Sequence, residues 1–255
     1  MAGFAPASLG DRSQPLPPAM LLVGGRGTRL GSVCDGLPKP LLPVAGKPFI
    51  EHIVHWLMKQ GVRRFFFLTG HLGEQVEAYF ARRPLPGINY FFVQEMKPLG
   101  TGGSVRAALE STGLREKFLL LNGDSFVPFP TARLVAAARH CAGALLAGEV
   151  REGGRYGSLE VSPAGMLKGF AEKRGGGAAQ LLVNFGVYCL SPELFWRFPS
   201  GKPYSIETDF YPAWIAAGEK LAVIKTDCNF IDIGTPESLR EAEKFVTDLQ
   251  NKEIM

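Results

Sequence analysis

The chain has little with which to do redox, zinc-thiolate or cysteine chemistry. Its four cysteines, Cys34, Cys141, Cys189 and Cys228, lie far apart in 255 residues and form no CxxC pair. That spacing argues against a zinc site and against a disulfide framework, and a reducing cytoplasm is its natural setting. Histidine is as scarce: of four, only His52 and His55 fall one helical turn apart, and no further ligand cluster joins them. They read as a packed or solvated helix face rather than a metal pair. No apolar run approaches the ~20 residues of a membrane span. Nor is there a long run of one charge. The formal +4 is scattered in pairs such as Arg63 with Arg64, Arg82 with Arg83 and Lys173 with Arg174, so no nucleic-acid or membrane partner is expected and small anionic substrates fit better. The first eighteen residues hold four prolines and lack the charged start and apolar centre of a signal peptide. Residues 1–18 are expected to be a loose leader and residues 19–251 one domain.

Two familiar nucleotide signatures are also missing. No GxxxxGK[ST] phosphate loop occurs, and the third glycine of a dinucleotide fingerprint would fall at Leu30. What is present is an apolar run, Ala19 to Val23, that breaks at Gly24 and Gly25 and continues as RGTRLGSVCDGLPKPLL. The pattern predicts a buried strand delivering a glycine-rich loop. Such a loop suits a polyphosphate: glycine amides point at phosphate oxygens while Thr28, Arg29 and Lys39 supply a hydroxyl and cations. Pro38 and Pro40 restrict where the Lys39 ammonium can go. A tight surface turn with solvated arginines is the alternative from the loop alone.

The rest follows a strand, helix, strand rhythm that calls for a parallel sheet with right-handed crossovers. A helix from Lys47 and Pro48 to Gln60, a strand from Val62 to Thr69, a helix near Gly73 to Ala81 and a strand from Asn89 to Gln94 are expected. Strand three empties into EMKPLGTGGS directly before another helix, and the next strand ends in Asn122, Gly123 and Asp124. In a parallel sheet these loops gather at the strands' C-terminal edge and line a ligand crevice. There Gln94 and the backbone near Gly100 could read a base, and Asp124 could hold a magnesium ion, although an Asp after a strand is also a common helix cap. Beyond Arg151 come shorter strands. Asn184 sits inside the apolar LLVNFGVYCL, satisfied either by neighbouring backbone or by a sugar hydroxyl. Asp232, in FIDIG, is a second carboxylate or the cap of the last helix, and Gly175, Gly176 and Gly177 read as a flexible hairpin tip beside the site.

In order, GGRGTR, LPKPL, PLGTGG, NGD, FAEK, VNFGVY and FIDIGTPE resemble the sugar-1-phosphate nucleotidyltransferases over nearly the whole chain. Within that family PFIEHIV and NFIDIGTPE look most like the D-glycero-α-D-manno-heptose 1-phosphate guanylyltransferases. The resemblance implies a single α/β domain of GT-A or Rossmann-like type, with a mixed, mostly parallel central sheet and helices on both faces. It also implies an Mg²⁺-dependent enzyme that joins a nucleoside triphosphate, GTP by preference, to a sugar 1-phosphate for surface glycan synthesis. By that likeness Gly24, Gly25, Gly27, Thr28 and Arg29 would wrap the triphosphate, Lys39 would sit by its α-phosphate, and Asp124 with Asp232 would hold magnesium. Gln94, Gly100 and Thr101 would contact the base and Asn122 the ribose. Tyr156, Gly157, Glu172 and Asn184 would hold sugar hydroxyls, and Lys173 the sugar phosphate. Two departures bear on base choice: Val23 stands where the family usually has alanine, and Glu95 leads into the second loop. A hexose or N-acetylmuramate 1-phosphate transferase using UTP or GTP is one alternative. A non-catalytic nucleotide-sugar-binding regulator is another.

Overall fold

The structure is a computed structural model that describes residues 16–25, 27, 29–30, 34, 36–150, 157–171 and 181–251. In chain order the strands and α-helices begin with β1 (Ala19–Leu22), β2 (Pro43–Val44), β3 (Lys47–Pro48), α1 (Phe49–Gln60), β4 (Arg64–Thr69), α2 (Gly73–Arg82) and β5 (Asn89–Gln94). They continue with α3 (Gly100–Thr112), β6 (Phe118–Asn122), β7 (Ser125–Phe126), α4 (Thr131–Ala137), β8 (Gly143–Val150), β9 (Ser158–Val161) and β10 (Leu167–Ala171). The last are β11 (Leu181–Leu190), α5 (Glu193–Trp196), α6 (Tyr211–Ala216), β12 (Leu221–Lys225), β13 (Ile231–Asp232) and α7 (Pro236–Asn251).

Among the described residues, nine strands form one mixed sheet. Its spatial order β10, β9, β11, β6, β1, β4, β5 is flanked by β8, which pairs with β11 and β12. The half made of β6, β1, β4 and β5 is wholly parallel, and antiparallel β11 joins it to the other half. Alternation explains why these strands read as unbroken apolar runs. Ala19, Leu21, Phe65, Phe67, Leu119 and Leu121 enter one core, while Met20, Phe66, Leu68, Phe118 and Leu120 enter a second on the opposite face. Helices α1, α2, α4 and α7 contribute to the first core and α3 and α6 to the second, so the sheet is covered on both sides. The α1 face is carried by Ile50, Ile53, Val54 and Leu57, all buried.

The expected boundaries of β5 coincide with those observed, and LLVNFGVYCL is β11 in full. Others shift for local reasons. Lys47 and Pro48 do not begin α1 but pair with Pro43 and Val44 as a short ribbon, and the helix starts at Phe49. In the FIDIG stretch only Ile231 and Asp232 are extended and paired, and their partner β7 is itself two residues long. His52 and His55 share no ligand. His52 lies buried with Nε2 on the Val44 carbonyl, and His55 Nδ1 meets the Glu51 carbonyl one turn back. No helix among the described residues is long and apolar enough to cross a membrane. The glycines at 175–177 lie outside the described residues.

Candidate active site

Parallel register sets the site. Leu22 stands level with Leu68 on one side and Asn122 on the other, and Thr69 with Gln94. The chain therefore leaves β1, β4, β5 and β6 on one edge, where Val23 N–H still reaches the Leu68 carbonyl and Gly123 N–H the Leu22 carbonyl. The loops beyond these ends enclose a cavity of about 660 Å³. Gly24, Gly25, Lys39, Gln94, Gly100, Thr101, Asn122 and Asp124 all line it, joined by Val23, Gly70, His71, Leu72, Glu95 and Ser104. A crevice at strand C-termini is where α/β sheets bind ligands. Leu72 adds backbone strain there, a non-glycine residue at φ +58° that starts α2.

Lys39 occupies the first position of a single 3₁₀ turn, Lys39–Leu41, held between Pro38 and Pro40. The residue is only 7% exposed, and its Nζ donates to Asp124 Oδ2 at 2.5 Å. A buried ammonium needs such a partner. The pair places a cation and a carboxylate in one wall of the cavity. Asp232 faces Ser125, the residue after Asp124, across the β7–β13 pair, and Ile233 N–H donates to the Asp124 carbonyl at 2.9 Å; Asp232 itself does not line the cavity. Asp232 does not cap the last helix. Its Oδ1 accepts from Gly234 N–H, whereas Thr235 Oγ1 accepts from Ser238 N–H at the helix start. Two acids separated by more than a hundred positions thus come to neighbouring chain segments, Asp232 on β13 and Asp124 in the turn directly before its partner β7.

The second glycine loop has a packing reason that its sequence did not disclose. A Cβ at Gly103 would lie 2.5 Å from the Lys202 carbonyl oxygen, and one at Gly102 3.0 Å from Phe210. Tyr204 O accepts from the Gly102 and Gly103 amides, and Thr101 Oγ1 accepts from Ile206 N–H. These glycines let the segment around Tyr204 seal the start of α3. Gly25 differs: nothing lies within 4 Å of its added Cβ.

Asn184 is half-buried in β11 and does not line the cavity. Its Nδ2 donates to Tyr188 Oη at 2.5 Å and to Glu207 Oε1 at 2.9 Å, and its Oδ1 accepts from Gly186 N–H at 3.0 Å. Protein groups therefore meet the cost of this mid-strand amide. Burial, and next the Glu207 carboxylate, push the Tyr188 hydroxyl far up, so it stays protonated. Arg29 is exposed and lies outside the cavity lining, as do Gly27 and Gly157. Thr28, Tyr156, Glu172 and Lys173 lie outside the described residues. Sequence reasoning missed Glu95 as a positioned group, since only the fold shows what holds it. Buried Cys189, its thiol pushed by burial up to about 11, is no nucleophile.

A parallel-edge crevice that presents Lys39, the Asp124 carboxylate and two glycine loops together defines a nucleotide-handling α/β enzyme. The chain belongs to the nucleotidyl transferase family, whose profile matches residues 18–249, and it is a sugar-1-phosphate nucleotidyltransferase. It is 33% identical to the D-glycero-alpha-D-manno-heptose 1-phosphate guanylyltransferase of Aneurinibacillus thermoaerophilus, over 89% of this chain and 96% of that one. The enzyme of the same description from Campylobacter jejuni is 31% identical over 86% and 95%. Among solved structures, HddC from Yersinia pseudotuberculosis complexed with GMP-PN superposes with a TM-score of 0.80 at 28% identity, covering 91% of this chain and all of that one.

Proposed function

We propose that this protein transfers GMP from GTP to D-glycero-α-D-manno-heptose 1-phosphate, releasing pyrophosphate and forming a nucleotide-sugar in the cytoplasm for surface glycan synthesis. The observation that carries this reading is the Lys39–Asp124 pair in the wall of a crevice rimmed by the Gly24–Gly25 turn and the start of α3, with Asp232 paired to the residue after Asp124. The likeness to two heptose 1-phosphate guanylyltransferases supports the choice of base and sugar.

A phosphate oxygen of the sugar phosphate attacks the α-phosphorus of GTP. The new P–O bond forms as the bond to the bridging oxygen breaks, and pyrophosphate departs with that electron pair. The nucleophile is already an anion at neutral pH, so no side chain need remove a proton. The barrier is one of bringing two polyanions together, and positioning and charge neutralisation lower it. Lys39 does this at the α-phosphate, where its ammonium turns from Asp124 toward the developing charge. Gly24 and Gly25 let the triphosphate approach backbone amides, with Gly27, Thr28 and Arg29 continuing that wrap. Gln94, Gly100 and Thr101 border the base, and Asn122 the ribose. Gly157, Tyr156 and Glu172 are assigned to the sugar and Lys173 to its phosphate, while Asn184, held by Tyr188 and Glu207, shapes β11 instead.

The donor set fits magnesium. Mg²⁺ takes one or two carboxylates, several waters and substrate phosphates rather than a closed protein cage, and Asp232 on β13 and Asp124 in the turn before its partner β7 are two such carboxylates. A bound Mg²⁺ would neutralise phosphate charge there. The reading is tested by a matrix of four nucleoside triphosphates against heptose, mannose, glucose and N-acetylmuramate 1-phosphates, read as pyrophosphate. GTP with the heptose phosphate is expected to turn over fastest, and a faster reaction with any other pair would contradict the assignment.

A further inference from the structure

Resting on that guanylyl reading, we propose that Lys39 bars a divalent cation from Asp124 until a bound phosphate takes up its ammonium, so that cation and nucleotide bind cooperatively through this one lysine. Both oxygens of Asp124 already hold donors: Oδ2 accepts from Lys39 Nζ at 2.5 Å and Oδ1 from Ser125 Oγ at 3.2 Å. The two ends of the ion pair are unequally buried. The Asp124 side chain is 37% exposed and open to an incoming cation, whereas that of Lys39 is 8% exposed. The lysine is hemmed in. Its backbone is fixed between Pro38 and Pro40, and a Cβ added at Gly27 would stand 3.5 Å from its own. Among the described residues Asp124 is the one carboxylate paired with it.

A cation arriving alone at Asp124 would first meet the repulsion of the ammonium beside it. Displacing that ammonium would strand a buried charge with no counter-ion, which is the costly way to break a buried pair. A phosphate in the crevice removes both costs. Lys39 and Asp124 line the same cavity, so the ammonium can pass to a phosphate oxygen without leaving it, and the carboxylate is released as it does. The effect is reciprocal by linkage: a phosphate on Lys39 raises affinity for the cation, and the cation raises affinity for the phosphate.

The test is titration with Mn²⁺, followed by its electron paramagnetic resonance signal, for the wild type, Lys39→Met, Lys39→Arg and the double variant Lys39→Met with Asp124→Asn. Each is titrated without nucleotide and again with GMP bound, and thermal unfolding of each runs alongside. Lys39→Met keeps the length of the side chain and removes its charge. Without nucleotide it is expected to bind Mn²⁺ about 10- to 100-fold more tightly than the wild type. Lys39→Arg keeps the charge and should bind as weakly as the wild type, and the double variant should lose the gain. Bound GMP should tighten Mn²⁺ severalfold in the wild type and not in Lys39→Met. Lys39→Gln, neutral and still able to donate to Asp124, takes the same role should Lys39→Met fail to fold. A folded neutral variant that binds Mn²⁺ no more tightly than the wild type overturns the proposal, as does a gain shared by Lys39→Arg or one that survives loss of the Asp124 carboxylate. Those results leave the guanylyl reading standing, because its own failure shows as pyrophosphate release that is faster with another pair of substrates.

Discussion

Gly186→Ala should damage fold and site together, by an amount that can be worked from geometry. Gly186 sits in the irregular stretch of β11, where the register against β8 shifts between Asn184 and Tyr188, and its φ is +69°. An alanine there carries a left-handed backbone cost of about 1–2 kcal/mol. Its Cβ would also lie 2.2 Å from Asn122 Nδ2 and 2.7 Å from Cγ, so the amide at the end of β6 must move off the cavity wall at a further cost of about 1–2 kcal/mol. Together these predict a loss of about 2–4 kcal/mol and, for a chain of this size, a fall in Tm of about 5–15 °C. The assay is a double-mutant cycle by thermal unfolding with Asn122→Ala, which removes the clashing atoms and keeps the φ penalty. The pair should recover about 1–2 kcal/mol relative to the sum of the single changes. A wild-type Tm for Gly186→Ala, or strictly additive penalties, would refute the close packing of these two residues.

Lys39→Ala should lower kcat about 10²- to 10³-fold, with the KM for the sugar phosphate little changed; an effect confined to sugar affinity would contradict its place at the α-phosphate. Gly25→Ala should leave Tm within about 2 °C, since its Cβ meets nothing within 4 Å, yet weaken GTP binding about tenfold by standing where the triphosphate approaches. Gly103→Ala should do the reverse, costing about 1–3 kcal/mol of stability against the Lys202 carbonyl. Burial holds the His52 imidazole below its ordinary 6.5. Below that pH the unfolded chain takes up a proton the fold excludes, so this stability is present at neutral pH and lost as pH falls. His52→Gln, which keeps a donor for the Val44 carbonyl, should flatten the decline of Tm just below pH 6.5; an unchanged slope would refute it.

Much of the fold was legible because each strand of the parallel half is apolar on both faces and ends in glycine or a polar residue. Phe65, Phe66 and Phe67 announce a strand with a core on either side, and the two cores confirm it. The edge of the crevice followed from strand direction alone. Long-range pairings were not legible. Nothing local in VNFGVY tells that Asn184 is taken by Tyr188 and Glu207, or that Gly186 exists for Asn122. The glycines of PLGTGG were read as a ligand loop, and all three prove to be seats for the segment around Tyr204. Glu95 stood out in the sequence only as the head of the second loop, and its orientation depends on a hydroxyl nine positions on.

The most direct measurement is magnesium-dependent pyrophosphate release from GTP on adding D-glycero-α-D-manno-heptose 1-phosphate, at saturating substrates, for the wild type, Asp124→Ala and Asp232→Ala. If both acids serve one triphosphate, release is brisk in the wild type and falls at least about 100-fold in each folded variant. Wild-type release from either variant would contradict the shared site.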